Sequence, residues 1–227
     1  MKCHGHLFAL LVFILMSCSE GSRDEIKIKP TQDFEIKADT SIFNWKEAAW
    51  ISLPHRNGPN QYLTKLKILY SKTGIYCLYF CEDKIITATL KEDFSNLYNE
   101  DVVEVFFWPD ESEPLYFEYE LSPLNYELPI LVPNFNGKFL GWLPWHYEGA
   151  RKTRHEVIVG KDSSWTASFF IPYSLLMPLN HMPPGKATAW RCNFYRIDYD
   201  EGNSEWSWQL TQTNFHDIKR FGKMIFD

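Results

Sequence analysis

The sequence predicts an all-β chain folded as an antiparallel β-sandwich of two sheets, and three observations carry that expectation. Runs rich in Val, Ile, Tyr, Phe and Trp alternate apolar with polar residues, clusters of Pro, Gly, Asn and Asp separate them, and no long stretch keeps the period of a helix. With 45% hydrophobic and 17% aromatic residues in a chain of 227, there is material for one well-packed domain and no sign of a second.

The first clear element is a hairpin. Residues 63–71 (LTKLKILYS) and 75–81 (IYCLYFC) alternate on either side of Lys72-Thr73-Gly74. Further strands are expected at 102–108, 116–121, 156–160, 165–171, 189–198 and 223–226. The best helical candidate is 172–176, where Pro172 suits a first turn.

Strand 102–108 (VVEVFFW) places Glu104 in an otherwise apolar run. A carboxylate there must be solvated, paired or used, because burying it bare costs several kcal/mol or neutralises it. Alternation puts Val103, Val105 and Phe107 on one face and Val102, Glu104, Phe106 and Trp108 on the other. In strand 116–121, Glu118 and Glu120 share a face opposite Phe117, Tyr119 and Leu121. The two strands are therefore expected to turn their carboxylates onto a solvated outer sheet face, away from the core. An ion pair of Glu104 with Arg191 or Arg196 is a competing structural use.

The chain opens with one lysine and an unbroken apolar run from Leu7 to Met16, followed by Ser17 and Cys18. Such a run fits a signal-peptide core and is too short to span a bilayer as a helix. Leu15-Met16-Ser17-Cys18 resembles a bacterial lipobox, which implies acylation of Cys18 and a membrane anchor. The expected organisation is a signal peptide over 1–17, an anchor cysteine and polar tether over 18–29, and the sandwich over 30–227. That places the protein in the cell envelope, with the outer membrane favoured by the acidic residues after the anchor. Removing 1–17 takes Lys2 away and leaves the balance more acidic than the −6 of the whole chain, which argues against a nucleic-acid partner.

Of the cysteines beyond the lipobox, Cys77 and Cys81 lie about 13 Å apart along a strand and cannot bridge each other. With Cys192 they are expected as buried free thiols. No cysteine or histidine spacing marks a metal site.

Seven segments together resemble the family 9 carbohydrate-binding modules and their relatives in bacterial lipoproteins, which share a sandwich architecture with DOMON-like domains. They are WKEA at 45–48, LKILYSKTGIYCLYFCED at 66–83, EDVVEVFFWPD at 100–110, YFEYELSPLN at 116–125, WTASFFIPYSLL at 165–176, WRCNFYRID at 190–198 and NFHDIKRFGKMIF at 214–226. The resemblance implies a β-sandwich and a non-catalytic function, capture of a glycan in a slot between two aromatic rings. Sugar rings have apolar faces that pack on aromatics and hydroxyls that bond to carboxylates and amides.

Carried onto this chain, the resemblance places Tyr98 and Phe215 at the positions of two stacking tryptophans and Glu104 at that of a carboxylate holding sugar hydroxyls. Glu120 falls where the best-known module has an arginine, a charge reversal beside Glu118. Asn193 and Tyr195 fall near an amide-bearing ligand strand. Trp142, Trp145, Trp206 and Trp208 are expected chiefly in the core. Some modules of the family hold calcium, but the loop 198–203 lacks a calcium-loop spacing and reads as a turn, so no metal or other cofactor is assigned. Three other readings compete. A glycoside hydrolase would use paired carboxylates. A haem-binding domain would draw ligands from His146, His155, Met177 or His216. A structural subunit of a surface glycan-utilisation complex would have no working slot.

Overall fold

The computed structural model describes residues 24–135, 137–145 and 148–227. The signal segment, Cys18 and His146 lie outside the described residues.

Among these residues the strands are β1 (Glu25–Pro30), β2 (Ile51–Ser52), β3 (His55–Asn57), β4 (Thr64–Tyr70), β5 (Gly74–Glu82), β6 (Val102–Trp108), β7 (Leu115–Leu121), β8 (Glu127–Phe135), β9 (Lys138–Phe139), β10 (Leu143–Pro144), β11 (Arg154–Val159), β12 (Ser164–Pro172), β13 (Ala189–Asp198), β14 (Ser204–Ser207) and β15 (Gly222–Phe226). A single-turn helix, α1 (Tyr173–Leu176), follows β12 directly, with Pro172 at its N-cap. No helix among the described residues is long and apolar enough to cross a membrane.

The first sheet runs β10-β8-β7-β6-β13-β15-β1, and the second runs β1-β4-β5-β12-β11. β1 belongs to both. Its first four residues pair in parallel with β15, from Glu25 opposite Lys223 to Ile28 opposite Phe226, and its last two pair in parallel with β4. The sandwich is thus mixed, where a purely antiparallel one was expected. β1 also corrects the tether, because the fold is entered at Glu25 and not after residue 29.

β8 escaped the sequence reading because it carries Pro129 and Pro133. Their carbonyls accept from Trp145 N–H at 2.9 Å and Leu140 N–H at 3.2 Å on the outer side of the strand. An antiparallel residue points its N–H and C=O the same way, so the missing prolyl N–H groups face that outer side and the ladder to β7 stays intact.

Between the sheets lies the main core. Val103, Val105 and Phe107 of β6 and Phe117, Tyr119 and Leu121 of β7 meet Cys77, Tyr79 and Cys81 of β5 and Trp165, Ala167 and Phe169 of β12. Cys77, Cys81 and Cys192 are buried free thiols. The core also encloses Arg196, fully buried, which donates to Asp83 Oδ2 at 3.0 Å and pairs with Asp198. Paired this way, the guanidinium meets the requirement that a buried charge be matched. Arg191 donates instead to the Phe221 carbonyl and to Glu111, so neither arginine pairs with Glu104.

The opposite face of the first sheet is not the solvated surface expected. Leu97, Phe215, Ile218 and Phe221, from segments connecting the strands, roof Val102, Phe106, Tyr116, Ile130 and Tyr195 in a second core. This roof makes all of β6 buried on both faces.

Candidate functional site

The two cores leave a cleft of about 350 Å³ on the roofed face of the first sheet. Its floor is Glu104 and Phe106 of β6 and Glu118 of β7, and its walls include Tyr98, Phe139, Trp142, Phe215 and His216. Arg56 of β3 and Glu205 of β14 stand at one side as an ion pair. The volume lies within the range of small-molecule pockets, and the mixture of rings with a few convergent polar groups is what such pockets use.

The floor carboxyls sit together because of strand register. Glu104 is directly opposite Glu120 across the β6–β7 ladder, and Glu118 is opposite Phe106. Residues opposite and diagonal across an antiparallel pair fall within reach of each other. Glu104 is 2% exposed, Glu118 4% and Glu120 0%, so the expectation of a solvated acidic face is overturned by the roof.

Burial dominates their ionisation. It pushes Glu104 well above the ordinary carboxylate range, with a further push from the charges of Glu118 and Glu205. Glu120 is raised in the same way by burial and then by Glu104 and Glu118, while Glu118 is pushed up to about 8. At neutral pH the floor is therefore a set of carboxylic acids, each able both to donate and to accept a hydrogen bond.

His216 adds no positive charge. Burial lowers its pKa to about 4, and burial likewise raises the Tyr116 phenol, which stays neutral. Tyr116 Oη lies 2.5 Å from His216 Nδ1. The two neutral groups share one hydrogen bond, whose direction is set by the His216 tautomer. His216 Nδ1 is 3.8 Å from Glu118 Oε2, beyond hydrogen-bond reach; among the described residues that oxygen has no N–H or hydroxyl donor, and the Glu118 carboxyl interacts with that of Glu120.

Four of the residues expected at a site line one cleft: Tyr98, Glu104, Glu118 and Phe215. Tyr98 comes from a short turn, Leu97–Asn99, and is half-buried. Glu120 lies behind the floor, next to Glu104 in register. Asn193 and Tyr195 do not reach the cleft. Both are fully buried behind Phe215, and their polar groups are used within the protein. Asn193 Nδ2 donates to Tyr195 Oη at 2.7 Å and to the Gln209 carbonyl at 2.8 Å, and Tyr195 Oη donates to the Phe215 carbonyl at 2.7 Å. The Tyr195 ring stacks on Phe215 with centroids 4.1 Å apart. These two are positioning residues for Phe215.

Sequence reasoning missed Arg56, Phe106, Phe139 and Glu205 as lining residues and did not connect His216 with this site. Only the neighbours of Phe215 in Asn214-Phe215-His216 carried a local signal. Trp142 is at the cleft, whereas Trp206 and Trp208 are core, and Trp145 donates its indole N–H to the Leu175 carbonyl. Among the described residues no group of three His, Cys, Asp or Glu is arranged to hold a metal ion. Asp198 of the loop considered for calcium is instead committed to Arg196 and Asn60. Of the residues considered for haem, His155 bonds to Asn125, Met177 is exposed, and neither lines the cleft.

No protein-family model matches the chain, and no curated protein matches it in sequence. Solved structures do match in shape. A candidate carbohydrate-binding protein from Bacteroides uniformis superposes with a TM-score of 0.73 at 15% identity, over 90% of this chain and 99% of that one. A family 9 carbohydrate-binding module from Caldicellulosiruptor kristjanssonii in complex with cellotriose gives 0.67 at 13% identity, over 89% and 93%. The same organism's family 9 module in complex with glucose gives 0.66 at 13% identity, over 89% and 95%. The chain therefore has the β-sandwich fold of the family 9 carbohydrate-binding modules, as the residue resemblance implied.

Proposed function

We propose that the protein binds carbohydrate, without catalysis, in the cleft floored by Glu104 and Glu118. The observation that carries this is the joining of aromatic walls to buried carboxyl groups in one concave site. Tyr98 and Trp142 offer rings to the C–H faces of a sugar, Phe215 closes the wall between Tyr195 and the Arg56 guanidinium, and the floor acids take the sugar's hydroxyls. Two similar folds hold cellotriose and glucose, which supports a saccharide as the ligand class. That the similar folds are carbohydrate-binding modules supports binding over hydrolysis.

We propose further that Cys18 is acylated after export and holds the sandwich at the cell envelope, on a tether that ends where β1 begins at Glu25.

A glycan array of the purified protein beside Glu104→Ala tests the first reading, with folding of each checked by circular dichroism. Wild type should retain a restricted set of glycans and the folded variant should lose them, by roughly tenfold or more in affinity for a lost charge-assisted or buried hydrogen bond. A folded wild type that retains no glycan removes the reading.

A further inference from the structure

The floor of the cleft gathers more carboxyl groups than hydroxyl recognition requires, and among the described residues no uncommitted cationic side chain faces them. Glu104 and Glu118 line it, Glu120 stands directly behind, and Glu205 stands at the side. The basic groups that face them are spoken for. Arg56 is held by Glu205 and also donates to the Thr213 carbonyl at 2.7 Å. His216 shares a hydrogen bond with Tyr116 and is neutral above a pH of about 4. The phenols of Tyr116 and Tyr195 are held neutral by burial.

Glu118 is the informative member. Its side chain is more than nine-tenths buried, it lines the cleft, and among the described residues its Oε2 has no N–H or hydroxyl donor. A buried carboxyl oxygen left without a partner is costly, and the arrival of a donor removes that cost. A neutral hydroxyl would supply a donor. A protonated amine would supply a donor and would also draw one of the acids to its carboxylate, turning a neutral hydrogen bond into a stronger charge-assisted one.

We propose that the saccharide taken by this cleft is an amino sugar, with its free ammonium seated between Glu104 and Glu118 and its ring against the aromatic walls. This inference rests on the carbohydrate reading above and names the ligand class within it. The amine hands no atom to the protein and no bond forms or breaks. The seated ammonium draws a carboxyl toward its ionised form, and the proton so displaced goes to solvent.

Three β-1,4-linked tetrasaccharides that differ only at carbon 2 test this: glucosamine, N-acetylglucosamine and glucose oligomers, titrated calorimetrically into the full-length protein near neutral pH. The amino oligomer should bind roughly tenfold or more tighter than the other two. Its heat should vary with the ionisation enthalpy of the buffer, reporting released protons, and the heats of the other two should not. Glu118→Gln should collapse the preference.

Equal or tighter binding of the glucose or N-acetylglucosamine oligomer overturns the inference and leaves the carbohydrate reading in place. No binding of any of the three overturns the amino-sugar inference alone, because the glycan array decides the carbohydrate reading separately. Methylammonium chloride or calcium chloride alone, binding as tightly as the amino oligomer, would show that a bare cation is the ligand and overturn the amino-sugar assignment. The wild-type comparison decides the matter even if the Gln variant fails to fold.

Discussion

Glu120 sits fully buried in the β6–β7 ladder opposite Glu104, in a position where most folds place an apolar side chain. Burial and its acidic neighbours raise its pKa, as they raise those of Glu104 and Glu118. In the unfolded chain these groups lose their protons in the ordinary carboxylate range. Between that range and the higher pH at which the folded protein releases them, the unfolded state holds fewer protons. Stability therefore falls as pH rises across that window. Glu120→Gln removes one contributor, so the variant should overtake wild type at alkaline pH by on the order of 1–3 kcal/mol in urea unfolding. A wild-type stability that stays flat from mildly acidic to alkaline pH would sink this account. Glu104 was legible as an anomaly in its strand, but its burial was not, because the residues that roof it lie far away in the chain.

At the scale of elements, β1 determines whether the two sheets act as one body. Ile28 enters the main core at 2% exposure, and the strand supplies parallel hydrogen bonds to β15 on one side and β4 on the other. A chain beginning at Thr31 would leave both of those edges open and Ile28's site empty. Such a truncation should lower unfolding free energy by about 3 kcal/mol or more relative to a chain beginning at Asp24, read as a lower urea midpoint. Matching midpoints would mean that β1 contributes nothing. The strand escaped notice because the polar residues around it outweigh two isoleucines. β13, by contrast, is legible at its observed bounds, since Trp190, Cys192 and Phe194 alternate with Arg191, Asn193 and Tyr195 along it. Its two halves pair with different partners, β15 at one end and β14 at the other, while β6 runs along its opposite edge. That division brings Glu205 of β14 to the same cleft as Glu104 of β6.

For the whole molecule, the proposed anchor makes location depend on a single sulfur. Cys18→Ala should move the protein from the membrane fraction to the soluble envelope fraction and abolish incorporation of labelled fatty acid, with the sandwich unchanged in circular dichroism. Continued membrane association of a folded Cys18→Ala protein would end the anchor reading. By itself the sequence determined eight of the strands, β4 to β7, β11 to β13 and β15, and which faces of β6 and β7 meet the main core, because side-chain alternation is a local property with a period of two. It also determined, through residues resembling a known family, that Tyr98, Glu104 and Phe215 belong together. Only the tertiary structure decided that the acidic face is covered, that β1 joins the sheets in parallel, and that Arg56, Phe139, Glu205 and His216 complete the cleft. The physical reason is distance along the chain: burial and charge environment are set by whatever segment folds over a residue, and here those segments lie tens to more than a hundred positions away.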